Sequence, residues 1–288
     1  MWVRFAALQI ARAVLITFIA GLLGAALVRF SPGFDSDEHD LDTRLSASTH
    51  EADARAREGE RNLLSFYARW LVRAAHGDFG NSRAMNRPVR ELVDERLPIT
   101  TRMMAVGGLI GLLAGFLPAA SAIWKRSRLI ENILGPGNGL LLAAPPAVVA
   151  LIFLWLNIDP ALAIAAAVSP YVFRYAHNLL GDSAAAAHVV SARSRGLGET
   201  RVFFAHVFLP ALPQLAALGS IVATVAFGAA IPVEVICDRP GIGQLAWQAA
   251  IARDMPVLTA ITILITALIL AVNAISEIAL TAIAWEGR

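Results

Sequence analysis

The sequence predicts an all-α, polytopic membrane protein with about six transmembrane helices, an external helical insert after the first span and a short cytoplasmic helix late in the chain. Three observations lead there. Several apolar runs approach or exceed the roughly 20 residues that cross a bilayer. Of the 288 residues, 57% are hydrophobic and only 16% charged, against about 25% charged in a soluble domain. The positive charges gather in short loops at 124–131 and 186–205, which hold Lys125, Arg126, Arg128, Arg193, Arg195 and Arg201.

The elements follow in order. Residues 1–30 place Arg4 and Arg12 before VLITFIAGLLGAALV. A cleaved signal peptide is the rival reading; the length of the run and the lack of a small-x-small site favour a first span. Residues 31–98 form an extracytoplasmic insert of mixed charge. In it Leu63, Phe66, Tyr67, Trp70, Leu71 and Ala74 recur at helical spacing and predict an amphipathic helix. Gly77-Asp78-Phe79-Gly80 ends it. Pro88 suits a first helical position, Val89, Leu92, Val93 and Leu97 share a face, and Pro98 limits that helix. The insert is either a surface-lying pair of helices or a small cap that meets a delivering protein.

Residues 99–288 form the core. Spans are expected at 101–123, 133–156, 161–180, 215–233 and 257–285. The third is interrupted by Gly135-Pro136-Gly137 and Pro145-Pro146, and the fourth contains Pro170. Carbonyls freed by these prolines require partners from neighbouring helices. Residues 157–160 make a tight turn. Arg174 and His177 end the fourth span, and Asp182 caps the helix after it. Glu277, inside the last span, either lines a path or reaches the inner interface. The loop at 234–255 holds only Arg239 and Arg253 against three acids. The charge asymmetry puts both termini and the 186–205 loop inside.

The segment AAHVVSARSRGLGETRVFFAHVFLPALP (186–213) is the polar interruption of the C-terminal half. Residues 186–195 read as a short helix, and Gly196 stops it after a basic last turn. It is either a grip for a cytoplasmic partner or a charged loop that only sets orientation.

Enzyme signatures are missing. Cys237 is the single cysteine and Lys125 the single lysine. Neither a disulfide within the chain, nor a cysteine metal cluster, nor a Gly-Lys-Ser/Thr phosphate loop is therefore available. The six histidines form no HExxH motif, and no Gly-x-Ser-x-Gly elbow accompanies Ser220. The chain is expected to be a transport subunit without catalytic residues, cofactor or metal. The mildly basic net charge of +2 follows from inner-side arginines and needs no nucleic acid.

Four stretches carry a family resemblance: YARWLVRAAHGDFGNS (67–82), RPVRELVDERLPITTRM (87–103), SARSRGLGETRVFFAHVFLPALP (191–213) and RPGIGQLAWQAAIARDMPV (239–257). In this order they resemble the B-type permease of bacterial binding-protein-dependent ABC importers, in the dipeptide/oligopeptide/nickel group. The resemblance covers most of the chain. It implies a multi-pass plasma (inner) membrane protein with cytoplasmic termini. It also implies a second, C-type permease as heterodimer partner, two cytoplasmic ATPase subunits, an external solute-binding protein and surrounding lipid. The third stretch is similar to the family's EAA loop, which docks on an ATPase. By resemblance, Ser191, Ala192, Arg195, Gly196, Leu197, His206 and Pro210 are its coupling residues, with Val190 where the family has a glutamate. Pro240, Gly241 and Gly243 match the outer-loop motif. A short peptide is the implied solute; Pro145, Pro146 and Pro170 are candidates to shape the path. The alternative is a stand-alone secondary carrier, though the residues show neither an internal repeat nor a chain of acids at membrane depth.

Overall fold

The computed structural model describes residues 2–30, 63–126 and 128–286. The acidic first part of the insert lies outside the described residues, as do the side chains of Arg4, Arg128 and Glu277. Among the described residues the fold is all-α, with a single isolated bridge between Asn81 and Pro88. The helices are α1 (Trp2–Arg29), α2 (Leu63–Ala75), α3 (Val89–Lys125), α4 (Arg128–Ala143), α5 (Pro146–Trp155), α6 (Pro160–Ala185), α7 (Ala187–Ser194) and α8 (Glu199–Val202). A π-helical turn (Phe203–Phe208) follows, then α9 (Leu209–Leu215), α10 (Leu218–Ile236), α11 (Ile242–Ile251) and α12 (Met255–Glu286). Among the described residues three helices are long and apolar enough to cross a bilayer: Val89–Lys125, Leu218–Ile236 and Met255–Ser276. The pair α4–α5, bent by 100° at Pro145-Pro146, makes a fourth if counted as one broken span. Ala11–Leu27 is a shorter apolar stretch.

The chain divides into two compact units. One comprises 1–98 with 244–268, the other 99–243 with 269–288. In the first, α2 turns Phe66, Tyr67 and Trp70 inward, as its apolar spacing predicts. The Tyr67 hydroxyl donates to the Phe18 carbonyl at 2.7 Å, and Trp70 Nε1 donates to the Phe79 carbonyl at 3.1 Å. Both polar tips are thereby satisfied while the rings pack. Gly77 and Gly80 take φ of 82° and 83°, which closes the turn that the GDFG stretch forecasts. Arg87 then bonds Glu95 (Nη2 to Oε1, 2.6 Å).

In the second unit α3 and α6 approach closely. Gly107, Gly111 and Gly115 recur every four residues on α3 and so share one face. A Cβ at Gly111 would lie 2.9 Å from the Ala165 carbonyl oxygen and 2.8 Å from Val168 Cβ. At Gly107 and Gly115 it would overlap the Ala161 and Ser169 carbonyls. The stripe lets two helix backbones touch, as small residues do in membrane bundles. Facing it, α6 buries Ala161, Ile164, Ala165, Val168 and Val172. The Asp159 carboxylate caps α6, accepting from the Ala161 N–H at 2.8 Å.

Several sequence expectations are corrected here. Pro98 does not limit its helix, because α3 runs through it to Lys125. Proline removes one N–H, the one that would meet the carbonyl of Asp94, an exposed residue. Gly135-Pro136-Gly137 likewise lies within α4. The carbonyl freed by Pro170 is that of Ala166, and it faces Ser169 Oγ of its own helix at 3.5 Å rather than a neighbour. Arg174 and His177 sit well inside α6, which continues to Ala185. Asp182 is in that same helix, exposed, and caps nothing. The N-cap of α7 is Ala186, without a side-chain bond.

Candidate functional site

The segment 186–213 folds as the sequence predicts at its turn and adds anchors that were not predicted. Helix α7 buries Val189 and Ala192 completely, residues three apart and so on one face. His188, Val190, Ser191, Ser194 and Arg195 stay exposed. Its C-terminus is a full Schellman motif. The Gly196 N–H donates to the Arg193 carbonyl at 2.9 Å, and the Leu197 N–H to the Ala192 carbonyl at 3.4 Å. Gly196 takes φ 80°, and Leu197 packs on the core, the hydrophobic contact this motif favours. Of the predicted coupling residues, Ser191, Arg195, Gly196 and Pro210 are exposed. Ala192 is buried, so it seats the helix and offers no outward surface. Leu197 and His206 are half-buried.

Charge closes the loop. Arg193 Nε bonds Glu199 Oε1 at 3.2 Å, and Arg126 Nη1 stands 4.0 Å from the same oxygen. Glu199 opens α8, where a carboxylate suits the helix dipole. Arg195 and Arg201 remain exposed.

The downstream half is anchored by aromatic rings. Trp124, at the end of α3, lies 6.0 Å from Phe203 and 5.8 Å from Phe204, centroid to centroid. Phe208 meets Phe116 at 6.2 Å. Pro210 explains the histidine pair. It has no N–H for the carbonyl of His206, four residues earlier. His188 Nε2 takes that carbonyl at 2.9 Å, so Nε2 carries the proton. Ser183 Oγ donates to the next carbonyl, Val207, at 2.9 Å. These two bonds tie α7 and the end of α6 to the π-helical turn. The sequence showed both histidines and the proline, but only the fold shows that one completes what the other two leave open.

Of the predicted outer-loop residues, Gly241 and Gly243 come together around a residue that the sequence reading missed, while Pro240 is exposed. Glu234, at 0% exposure, accepts the Thr100 hydroxyl at 2.6 Å on Oε1 and the Gly243 N–H at 2.6 Å on Oε2. Thr100 Oγ1 in turn accepts the Ile242 N–H at 2.7 Å. A Cβ at Gly241 would overlap the Glu234 carboxyl, and one at Gly243 would fall 2.6 Å from Ile231 Cα. The motif glycines are thus space for a carboxylate and for a backbone. An acid ending an apolar run was the available signal. A second buried carboxylate, Asp254 at 1% exposure, accepts Ser82 Oγ at 2.7 Å and the N–H groups of Arg83 and Ala84. It also caps α12 through the Val257 N–H at 3.3 Å. Cys237, after α10, is half-buried; burial pushes its thiol up and makes it a poor nucleophile.

The chain is similar in sequence and in fold to known transport permeases. The chain is 26% identical over 227 residues to the dipeptide transport system permease protein of Lactococcus lactis, covering 72% of this chain and 74% of that one. It is 27% identical over 241 residues to the oligopeptide transport system permease protein of Bacillus subtilis, covering 74% and 76%. A putative peptide permease of Brucella suis is 26% identical over 286 residues, with 88% and 89% covered. In fold the chain is similar to a chain from the MetNI methionine ABC transporter in inward-facing conformations, with TM-score 0.60 and 16% identity, covering 70% of this chain and 99% of that one. Residues 107–284, more than half of the sequence, match the family described as binding-protein-dependent transport system inner membrane component. The chain belongs to that family and is a membrane-embedded transport subunit, not itself an enzyme.

Proposed function

We propose that the chain is the B-type permease of an ATP-driven importer of short peptides. It pairs with a second, C-type permease, and solute crosses between the two. Two ATPase subunits act from the cytoplasm and a solute-binding protein delivers from outside. The chain spans the membrane six times with both termini inside. Peptide as the solute rests on the relatives, whose names all refer to peptides. Family membership supports a component of a larger system, not a stand-alone carrier.

The observation that carries the coupling role is α7. It is a short helix seated by Val189 and Ala192, closed at Gly196 and held by His188 and Arg193, with Ser191, Ser194 and Arg195 turned outward. Such an element transmits displacement because its own bonds fix it to α8 and the π-helical turn. The ATPase must bind its two positions unequally for ATP to shift their balance. Replacing Cys237 by Ser and introducing Ser194→Cys gives one thiol on the outward face. That thiol crosslinks to a copurifying ATPase subunit, and ATP-dependent peptide uptake survives the two substitutions. An active complex that never crosslinks there overturns the coupling assignment.

A further inference from the structure

The loop between α10 and α11 changes character within six residues. Asp238, Arg239 and Pro240 are exposed; Gly241, Ile242 and Gly243 are buried. The buried base is fastened by one carboxylate that belongs to neither the loop nor α11. Glu234 stands in the last turn of α10 and receives Thr100 of α3 on one oxygen and the second residue of α11 on the other. Thr100 accepts the Ile242 N–H, so its own hydrogen points to Glu234. Arg239 N–H donates to the Glu234 carbonyl at 2.8 Å. Side chain and backbone of one residue therefore fix both ends of the loop.

A helix start needs no such device. A serine or aspartate at the cap would satisfy the same N–H groups from the surface. A fully buried carboxylate costs desolvation, and here its two oxygens take donors from two other helices. We propose that Glu234 and Thr100 form a clasp that positions the Asp238-Arg239-Pro240 tip for contact with the loaded solute-binding protein. Glu234 is a positioning residue: it acts through the tip and does not touch solute. The inference rests on the importer reading and on the outer location of this loop.

The test uses the assembled transporter in liposomes, with its binding protein supplied with trialanine. Thr100→Val, which keeps the shape and removes the hydroxyl, raises the binding-protein concentration for half-maximal ATPase stimulation about tenfold. The maximal stimulated rate stays within about twofold. Thr100→Ser restores the half-maximal concentration. Gly241→Ala, which displaces the carboxyl without altering its charge, matches Thr100→Val. A nitroxide on Arg239→Cys in a Cys237→Ser background gives a narrower spectrum when Thr100→Val is added and the original one with Thr100→Ser. An unshifted half-maximal concentration overturns the clasp. So does a fall in maximal rate alone, or a nitroxide spectrum indifferent to residue 100. A wild-type complex that no loaded binding protein stimulates overturns the importer reading, and the clasp's role with it. Stimulated wild type with unmoved variants overturns only the clasp.

Discussion

Gly196 takes φ 80°, and nothing lies within 4 Å of where its Cβ would be. The demand for glycine there is conformational, not spatial. That distinction predicts an order among substitutions. Asparagine enters the left-handed region readily, whereas a β-branched residue is forced there against about 1–3 kcal/mol of strain. Gly196→Asn should keep ATP-driven uptake within about threefold, the effect of a few tenths of a kcal/mol. Gly196→Val should reduce uptake at least tenfold, as a strain above 1.4 kcal/mol implies, with insertion and permease pairing intact. Uptake assays on membrane preparations matched for permease content decide it. Equal activity of both variants would remove the turn from the coupling path. Gly243 presents the opposite case, since Ile231 Cα stands in the way and asparagine gains nothing there. A sequence shows both glycines alike; only surrounding atoms separate a torsional need from a spatial one.

Helix α3 shows how much an element's pattern reveals. Its apolar stretch was legible, with an expected end at residue 123, two residues before the helix stops at Lys125, and so was the amphipathic face of α2. The Gly107–Gly111–Gly115 stripe was visible in the letters, but its partner, α6, was not, because a stripe of small residues does not name the helix that fills it. The Trp124–Phe203 contact was hidden for the same reason: 79 positions separate the two rings in sequence. Pro98 misled because the loss of one N–H did not stop the helix, which runs on to Lys125. In the candidate site the Schellman turn was legible because it is local, whereas the Glu234 clasp joins Thr100 to Gly243 across the chain. The stripe supports a controlled comparison. Gly111→Ala places a methyl 2.9 Å from a backbone oxygen, while Gly228→Ala meets nothing within 4 Å. Gly111→Ala should lose about 1–3 kcal/mol through overpacking. Gly228→Ala should be neutral or gain up to about 1 kcal/mol from helix propensity. Thermal unfolding of the purified chain in mild detergent measures both, and equal shifts would deny the close approach of α3 to α6.

At the scale of the whole molecule the charges set an orientation that the fold alone does not. Lys125, Arg126, Arg193, Arg195 and Arg201 lie at the end of α3 and in the 186–205 segment, while Glu234, Asp238 and Asp254 accompany the loops flanking α11. Short loops rich in Lys and Arg stay on the cytoplasmic side, and the orientation proposed above on that rule predicts that the exposed Arg195 and Trp247 are labelled from opposite compartments. The half-buried Cys237 thiol can be exchanged for serine to give a cysteine-free background. In that background Arg195→Cys should resist a membrane-impermeant maleimide in intact spheroplasts and react once the membrane is opened. Trp247→Cys should react in both. Because the coupling segment and the Glu234 loop are assigned to opposite faces, one labelling experiment tests both proposals together. A maleimide that reached residue 195 from outside would leave the ATPases nothing to grip. One that reached residue 247 only from inside would deprive the clasp of its partner.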